Sequence, residues 1–279
     1  MRIVKIVKLY ELKNKEVKGI RLGRSLLGPP LMTIVCYILG DLMIDTGFSH
    51  MRKELITLAA DHGVRRAFIT HHHEDHSGNA AALQKELGVQ VYGHPLTVDK
   101  MSRPNHIHFY QRHLWGKSQV LNMEAYPESI DTEQGTMIPI HTPGHSKDHT
   151  SYYIKDAGIL FSGDMYLADR IRYFRSDECV GTQIESLKKL SKLDFNMLLC
   201  GHFPKLTKGR ERIQAKLAFM EDLYGSVISL WKQGLSEKEI YGNLKLKEDF
   251  LTFWITLGNV SMMSGVRSII KHYTDRNED

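Results

Sequence analysis

The stretch Thr70-His71-His72-His73-Glu74-Asp75-His76-Ser77-Gly78-Asn79 concentrates side chains that bind transition metals through nitrogen or oxygen. Imidazole and carboxylate donors without thiolate suit zinc, and also manganese or iron. Upstream, Arg66-Ala67-Phe68-Ile69-Thr70 reads as a buried strand, and downstream Gly78 to Leu87 reads as a helix. The cluster therefore sits where a strand gives way to a helix, a usual place for a site in an α/β protein. Alternation along an extended chain lets His71 and His73 converge on one ion while His72 turns away. As the chain turns into the helix, Asp75 and His76 face a point beside that ion. One segment can thus begin two neighbouring metal sites.

Three later strand ends each add a metal-capable residue beside glycine. His145 follows Pro143-Gly144, Asp164 follows Gly163, and His202 follows Gly201. Glycine there lets the backbone turn sharply and bring the next side chain to the top of a sheet. With the opening cluster, these residues supply the two coordination shells that two ions need. Two divalent ions about 3.5–4 Å apart can share a water and lower its pKa towards about 7. The resulting hydroxide would attack a carbonyl carbon or a phosphorus, with Asp75 able to relay the proton.

The elements that must position these residues follow from periodicity. Ile3 to Leu9 alternates as an edge strand, and Lys13 to Gly19 is polar and turn-like. Met32–Ile38 and Leu42–Ile44 form a hairpin about Gly40-Asp41 that ends in Asp45-Thr46-Gly47. A helix over Arg52–His62 and a strand over Val89–Tyr92 continue the alternation of strand and helix, which argues for an α/β layered fold. Leu96 to about Gly135 has no clear period and reads as a variable loop near the substrate mouth. Strands over Met137–Ile140, Ser151–Ile154, Gly158–Phe161 and Asn196–Leu199 follow, with a helix over Gln183–Lys192. Gly209–Lys232, Ser236–Asn243 and Asn259–Tyr273 read as a helical tail. Phe219, Leu223, Val227 and Leu230 share a face of its long helix, and Trp231 and Trp254 are expected where helices pack.

His71-x-His73-x-Asp75-His76, then His145, Asp164 and His202 in order, resembles the metallo-β-lactamase-fold hydrolase superfamily. Asp45-Thr46-Gly47 matches the Asp-containing turn that precedes the histidine cluster in that family. The match covers about residues 30 to 205 and looks nearest to the glyoxalase-II-like hydrolases, because true lactamases usually lack the acid standing here as Asp164. The resemblance implies an αβ/βα sandwich with the site at one edge of two sheets. The chain is expected to divide into a catalytic domain over 1–207 and a helical C-terminal extension over 208–279, packed on that domain or on a partner subunit. The resemblance also implies His71, His73 and His145 at one ion, Asp75, His76 and His202 at a second, and Asp164 bridging the two. Asp45 would orient a ligand of the cluster without binding metal.

Composition narrows the alternatives. The chain has 279 residues, 42% hydrophobic and 25% charged, values ordinary for a soluble globular protein, with a mildly basic formal charge of +5. No basic run is dense enough for a dedicated nucleic-acid binder, so no nucleic acid is expected. No apolar run is long enough to span a bilayer and no signal peptide is apparent, so no membrane partner is expected. Cys36, Cys179 and Cys200 follow no paired pattern, which suits a reducing, cytoplasmic setting.

The leading expectation is a metal-dependent hydrolase of esters, thioesters or lactones, zinc being the first choice of ion. The alternative is a nuclease or phosphodiesterase of the same fold, whose extra nucleic-acid-binding module or basic arm is not visible. A diiron redox protein would replace a ligand by Glu and carry a flavin domain, and an interaction protein would not need the full ligand set. After Asp164 comes Met165-Tyr166-Leu167-Ala168-Asp169-Arg170-Ile171-Arg172, where Tyr166 could donate to an oxyanion and Arg172 could hold an anionic group. The substrate is therefore expected to be a small molecule, with a preference for anions. A homodimer through the C-terminal helices is compatible with the reading. The glutathione-binding C-terminal region of true glyoxalase II is not recognised in Lys208–Asp279.

Overall fold

The computed structural model describes residues 4–11, 17–25, 28–30, 32–104 and 107–277. Residues 13–16 of the expected polar turn, and Ile3 of the expected edge strand, lie outside these. The described chain divides into two compact units. One comprises the chain up to His141 with Asp148–Asp164 and Asp194–Gly209; the other comprises Thr142–Lys147, Met165–Leu193 and the chain from Arg210 onward.

The first unit carries two sheets. The larger runs β1 (Val4–Glu11), β2 (Val17–Ser25), β3 (Thr33–Leu39), β4 (Leu42–Ile44), β5 (Arg66–Phe68), β6 (Gln90–Gly93) and β7 (Glu124–Ala125), in that spatial order. Pairing is antiparallel from β1 to β4 and parallel from β4 to β7. The second sheet runs β8 (Ile130–Thr132), β9 (Gly135–His141), β10 (Thr150–Ile154) and β11 (Ile159–Gly163) as an antiparallel meander. Two-residue β12 (Phe174–Arg175) belongs to the other unit, and β13 (Met197–Cys200) then closes this sheet parallel to β11. Between β11 and β13 the register shifts once, after Phe161↔Leu199, so that Gly163 faces Cys200. Such a bulge re-aims the residue that follows it.

Strand parity explains the layers. In β3, Ile34, Cys36 and Ile38 face one core, while Val35, Tyr37 and Leu39 face another. The first core lies under α1 (Arg52–Asp61), through Leu55 and Ala59, and α3 (Ala80–Leu87), through Ala80 and Leu83. The second lies between the sheets, where β3 meets Tyr152, Phe161 and Leu199. A strand buried on both faces needs an unbroken apolar run, which Thr33–Leu39 supplies. Two buried hydroxyls tie one sheet to the strand ends of the other. Tyr37 donates to the Cys200 carbonyl at 2.6 Å, and Tyr152 donates to the Ile69 carbonyl at 2.9 Å.

The segment expected as a variable loop holds two helices. After the one-turn α2 (Glu74–Ser77) and α3 come α4 (Pro95–Met101) and α5 (Phe109–Leu114). Histidine side chains cap both, His94 accepting from Leu96 N and His108 forming a capping box with Gln111. Histidine is not among the usual cap signals, which explains why the pattern is hard to read.

The second unit holds α6 (Val180–Ser191), α7 (Gly209–Lys232), α8 (Glu237–Asn243), α9 (Phe250–Ile255) and α10 (Met262–Asp275), and a ribbon of β12 with β14 (Val260–Ser261) against which α9 and α10 lie. The N-terminus of α6 lacks a cap from its own Cys179, and Ser268 of α10 takes that place. Its Oγ accepts from Val180 N at 3.0 Å and donates to the Glu178 carbonyl at 2.8 Å. The buried side of α7 is Ile213, Lys216, Met220, Leu223 and Val227, spaced three and four apart. Phe219 and Leu230, expected on that face, flank it half-buried. Trp254 corrects another expectation: it is 70% exposed on α9, beside similarly exposed Phe250 and Leu251, and is not a core residue.

Candidate metal centre

The metal-capable side chains of the first unit gather where strands end. Asp45 follows β4, the histidine stretch follows β5, Asp164 follows β11, and His202 lies two residues beyond β13. Asp45 sits in the left-handed region at φ +57, a conformation Asp tolerates better than most residues. Thr46 then clamps the turn of α2, its backbone N–H and its hydroxyl both donating to the His76 carbonyl at 2.6 and 2.9 Å. Asn79 returns the contact through Nδ2 to the carbonyls of Thr46 and Phe48. The Asp45-Thr46 turn and the metal-capable turn of α2 are therefore one hydrogen-bonded body.

Two glycines are fixed by crowding. A Cβ on Gly201 would lie 2.7 Å from His76 Cε1 and 2.9 Å from Asp164 Oδ1. Gly163 has φ +48, and a Cβ there would lie 2.6 Å from His149 Nε2. The backbone must approach the imidazoles this closely for the ligands to converge.

Following the protons settles which nitrogen each histidine offers. Asp45 is 2% exposed and accepts from Thr70 N at 2.8 Å and Thr70 Oγ1 at 2.9 Å. With its hydroxyl proton given to Asp45, Thr70 Oγ1 acts as acceptor towards His71 Nδ1 at 3.0 Å. The Nδ1–H of His76 donates to Asp45 Oδ2 at 2.7 Å, and that of His202 donates to the Thr33 carbonyl at 2.8 Å. Each of these three rings is thereby left with its Nε2 lone pair pointing inward. His71 Nε2 and His73 Nδ1 face one another at 2.8 Å. His76 Nε2 lies 3.2 Å from Asp164 Oδ1 and 3.9 Å from Asp75 Oδ2. His202 Nε2 lies 3.5 Å from Asp164 Oδ2 and 3.6 Å from Asp75 Oδ2. The donor atoms of Asp75, His76, Asp164 and His202 all fall within 4.8 Å of one another, and all four residues are buried.

Such a group asks for a cation. Burial alone would raise the Asp164 carboxyl, but the facing His76 and His202 outweigh it and hold the group well below the usual carboxylate range. Burial likewise opposes charge on His76, yet Asp164, Asp45 and Asp75 push it well above 6.5. His202 is raised in the same way, with Asp164 the main opponent of burial. Positive charge is drawn to this point, and a divalent ion would meet that demand by displacing the protons from nitrogens already aimed at it. Burial pushes the Cys200 thiol to about 11 and the Cys36 thiol well above its ordinary value, so neither offers a thiolate at neutral pH.

His145 stands in the second unit, where Glu178 Oε1 accepts from its Nδ1 at 2.9 Å and so leaves Nε2 as the atom it could offer a metal. Tyr166 is buried and donates to Asp169 Oδ1 at 2.8 Å, and Arg172 donates to Asp249 Oδ2, the cap of α9, at 2.5 Å. A substrate role would require either side chain to leave that partner. His149 is fully buried and accepts from Asp164 N through Nε2 at 3.1 Å. His72 turns away from His71, with Nδ1 bonded to Asp148 at 2.9 Å. Sequence reading does not single out Thr70, Asp148 or Glu178. Each lies next to or three residues beyond a motif residue or in an adjoining loop, and nothing in its own neighbourhood marks it.

Residues 31–202 match the family model described as the metallo-beta-lactamase superfamily. A hydroxyacylglutathione hydrolase of Cereibacter sphaeroides is 28% identical over 54% of this chain and 50% of its own length. The chain spans about half the length of the curated relatives of that kind that it matches. An atrochrysone carboxyl ACP thioesterase of Aspergillus fumigatus is 26% identical over 74% of this chain and 64% of its own. Among solved structures, a metallo-beta-lactamase family protein of Thermus thermophilus superposes with a TM-score of 0.65 at 18% identity, covering 94% of each chain. That likeness extends the common α/β fold across nearly the whole chain. Among the described residues, no helix is long and apolar enough to cross a membrane.

Proposed function

This chain belongs to the metallo-beta-lactamase superfamily, and on that premise we propose that it is a dinuclear metal-dependent hydrolase of thioesters and related carbonyl esters. The observation that carries the reading is the set of fixed tautomers. Asp45, Thr70, Thr33 and Glu178 hold the Nδ1 protons of four histidines, so that every Nε2 is a ready ligand. His71, His73 and His145 would hold one ion, Asp75, His76 and His202 the other, with Asp164 between them. Nitrogen and oxygen donors favour zinc, with manganese or iron as alternatives. Bound there, divalent ions supply Lewis acidity and a water acidified to near neutrality.

The chain's own residues do the rest. Asp75, a buried carboxylate on α2 with His202 at 3.6 Å, can accept the proton that the attacking water loses. Asp164 keeps its charge through His76 and His202, so it stays a ligand and does not become the acid. The thioester preference is supported by relatives whose names denote hydrolysis of acylglutathione and of an acyl carrier thioester. The test is a metal-loaded preparation assayed on S-acyl thioesters, aryl esters, lactones and a phosphodiester, with elemental analysis alongside. About two equivalents of metal and turnover of carbonyl substrates are expected. Phosphodiester cleavage with every carbonyl substrate untouched would overturn the reading.

A further inference from the structure

Ile69 to His73 lies between β5 and α2 and belongs to neither, so its peptide groups find their partners one at a time. The Thr70 N–H donates to Asp45 Oδ1 at 2.8 Å, and the Thr70 carbonyl accepts from Thr150 N at 2.8 Å. Two peptides lie between His71 and His73, the pair proposed to share one ion. The carbonyl of the second, on His72, accepts from Ser77 Oγ at 2.8 Å. The N–H of the first, also on His72, donates to Asp148 Oδ2 at 2.9 Å. Asp148 is wholly buried; the same oxygen accepts from Thr97 Oγ1 at 2.8 Å, while Oδ1 meets His72 Nδ1 at 2.9 Å. One carboxylate thus grips one residue by backbone and ring together. That grip fixes the side of the chain from which the His72 ring leaves, and alternation sends His71 and His73 to the other. There His71 Nε2 and His73 Nδ1 stand 2.8 Å apart. A buried carboxylate is costly unless its lone pairs are met, and these are met chiefly by a residue outside the proposed ligand set. The histidines proposed for the other ion rest on different groups, His76 on Asp45 and His202 on the Thr33 carbonyl.

We infer that Asp148 is a positioning residue for the ion proposed at His71 and His73: by holding the His72 amide it sets the angle at which the two rings converge. The inference rests on the two-ion reading for the ion it names, whereas the clamp on the amide stands without that reading. The bond that carries the effect runs to the peptide and not to the ring. Removing the His72 side chain therefore leaves the clamp in place, and removing the carboxylate leaves the amide without that partner and the peptide free to turn. Asn at position 148 offers an amide oxygen to His72 N and an NH2 to the ring Nδ1, so it keeps the clamp without the charge.

The first measurement is amide hydrogen exchange in the metal-free full chain, read by mass spectrometry on overlapping fragments across Ile69–Ser77. The amide at position 72 should be protected in the wild type and in His72→Ala, and should exchange about tenfold faster or more in Asp148→Ala. The second is competition for zinc with a chromophoric chelator near pH 7.5. Asp148→Ala should bind one of two equivalents about ten- to a hundredfold more weakly than the wild type and keep the other, the range seen for residues that orient metal ligands. Asp148→Asn should recover most of the difference, and His72→Ala should show none. Asp148→Ser, too short to take the carboxylate's place, repeats both measurements if the alanine variant does not fold. An unprotected amide in the wild type, or unchanged zinc binding in Asp148→Ala, overturns the proposal. A loss in His72→Ala equal to that in Asp148→Ala also overturns it, because the ring contact would then carry the effect. Equal weakening of both equivalents does so too, as a general loosening of the fold would give. If the wild type bound no zinc, the two-ion reading would fail on its own, and the exchange measurement would still decide the clamp.

Discussion

Replacing Asp45 by Asn removes one charge and changes one atom, and the hydrogen bonds around that atom set the outcome. Asn tolerates φ +57 as Asp does, so the backbone is left in place. The amide oxygen can keep the bond from Thr70 N, which leaves the NH2 facing Thr70 Oγ1 and His76 Nδ1. Two donors cannot meet there. His76 must either lose its partner or move its proton to Nε2, the atom proposed to bind metal. Loss of a hydrogen bond to a charged group costs about 1.5–3 kcal/mol. At about 1.4 kcal/mol per decade that is roughly a ten- to hundredfold loss of affinity, the range seen when residues that orient metal ligands are removed. Thr70 passes the effect on to His71, so both proposed ions should weaken. The assay is competition with a chromophoric chelator near pH 7.5, with thermal melts of the metal-free protein to confirm the fold. Asp45→Ala should be worse, because a non-Gly, non-Asx residue at positive φ adds about 1 kcal/mol of strain. If Asp45→Asn held metal as tightly as the wild type, the tautomer argument would be refuted.

Acidification should release metal early. His76 and His202 lie above 6.5 in the metal-free protein, so protons compete from above that value and the metal dissociation constant should climb as pH falls through it. The same raised values give the metal-free fold stability that is full below the unfolded histidine pKa and is lost as pH rises through the folded one. Its Tm should therefore increase on going from about pH 8 to about pH 6, and a fall would contradict the assigned shifts. Asp164→Ala should strip metal while His149→Ala retains it, and His72→Ala should leave metal content almost unchanged, as elemental analysis would show. Tyr152→Phe, which frees the Ile69 carbonyl, should lower stability by about 1 kcal/mol in urea unfolding. A chain truncated after Lys208 loses α10 and with it the Ser268 cap of α6, and is expected to be insoluble or aggregated. Recovery of a soluble, fully active monomer would contradict that.

The strands and the ligand-bearing turns were legible in sequence because each is a local pattern. Thr33–Leu39 shows its apolar run, and Gly163 and Gly201 mark the close approaches beside Asp164 and His202. The parts that were not legible depend on partners far along the chain. Asp148 bonds His72 across 76 residues, and Glu178 bonds His145 across 33, so neither announces itself in its own neighbourhood. α4 and α5 were hidden by histidine caps. Trp254 misled for another reason. Apolar residues at helical spacing say that a face exists but not that the chain covers it, and α9 has no buried residue.

The parallel pairing of β11 with β13 acts as a ruler. Neighbouring strands are held about 4.8 Å apart by their hydrogen bonds, and the Gly163↔Cys200 register sets where Asp164 and His202 leave the sheet. A slip of one residue would move His202 by about 3.3 Å and turn its side chain to the opposite face, whereas metal-ligand distances tolerate about 0.2 Å. The spacing of the proposed ligands is thus inherited from peptide geometry. Sequence inserted between Asp164 and Met197 could lengthen the connection without disturbing either ligand. Anyone wishing to change the ion preference of the proposed site would exchange the side chains at 164 and 202 and leave the ladder between them alone.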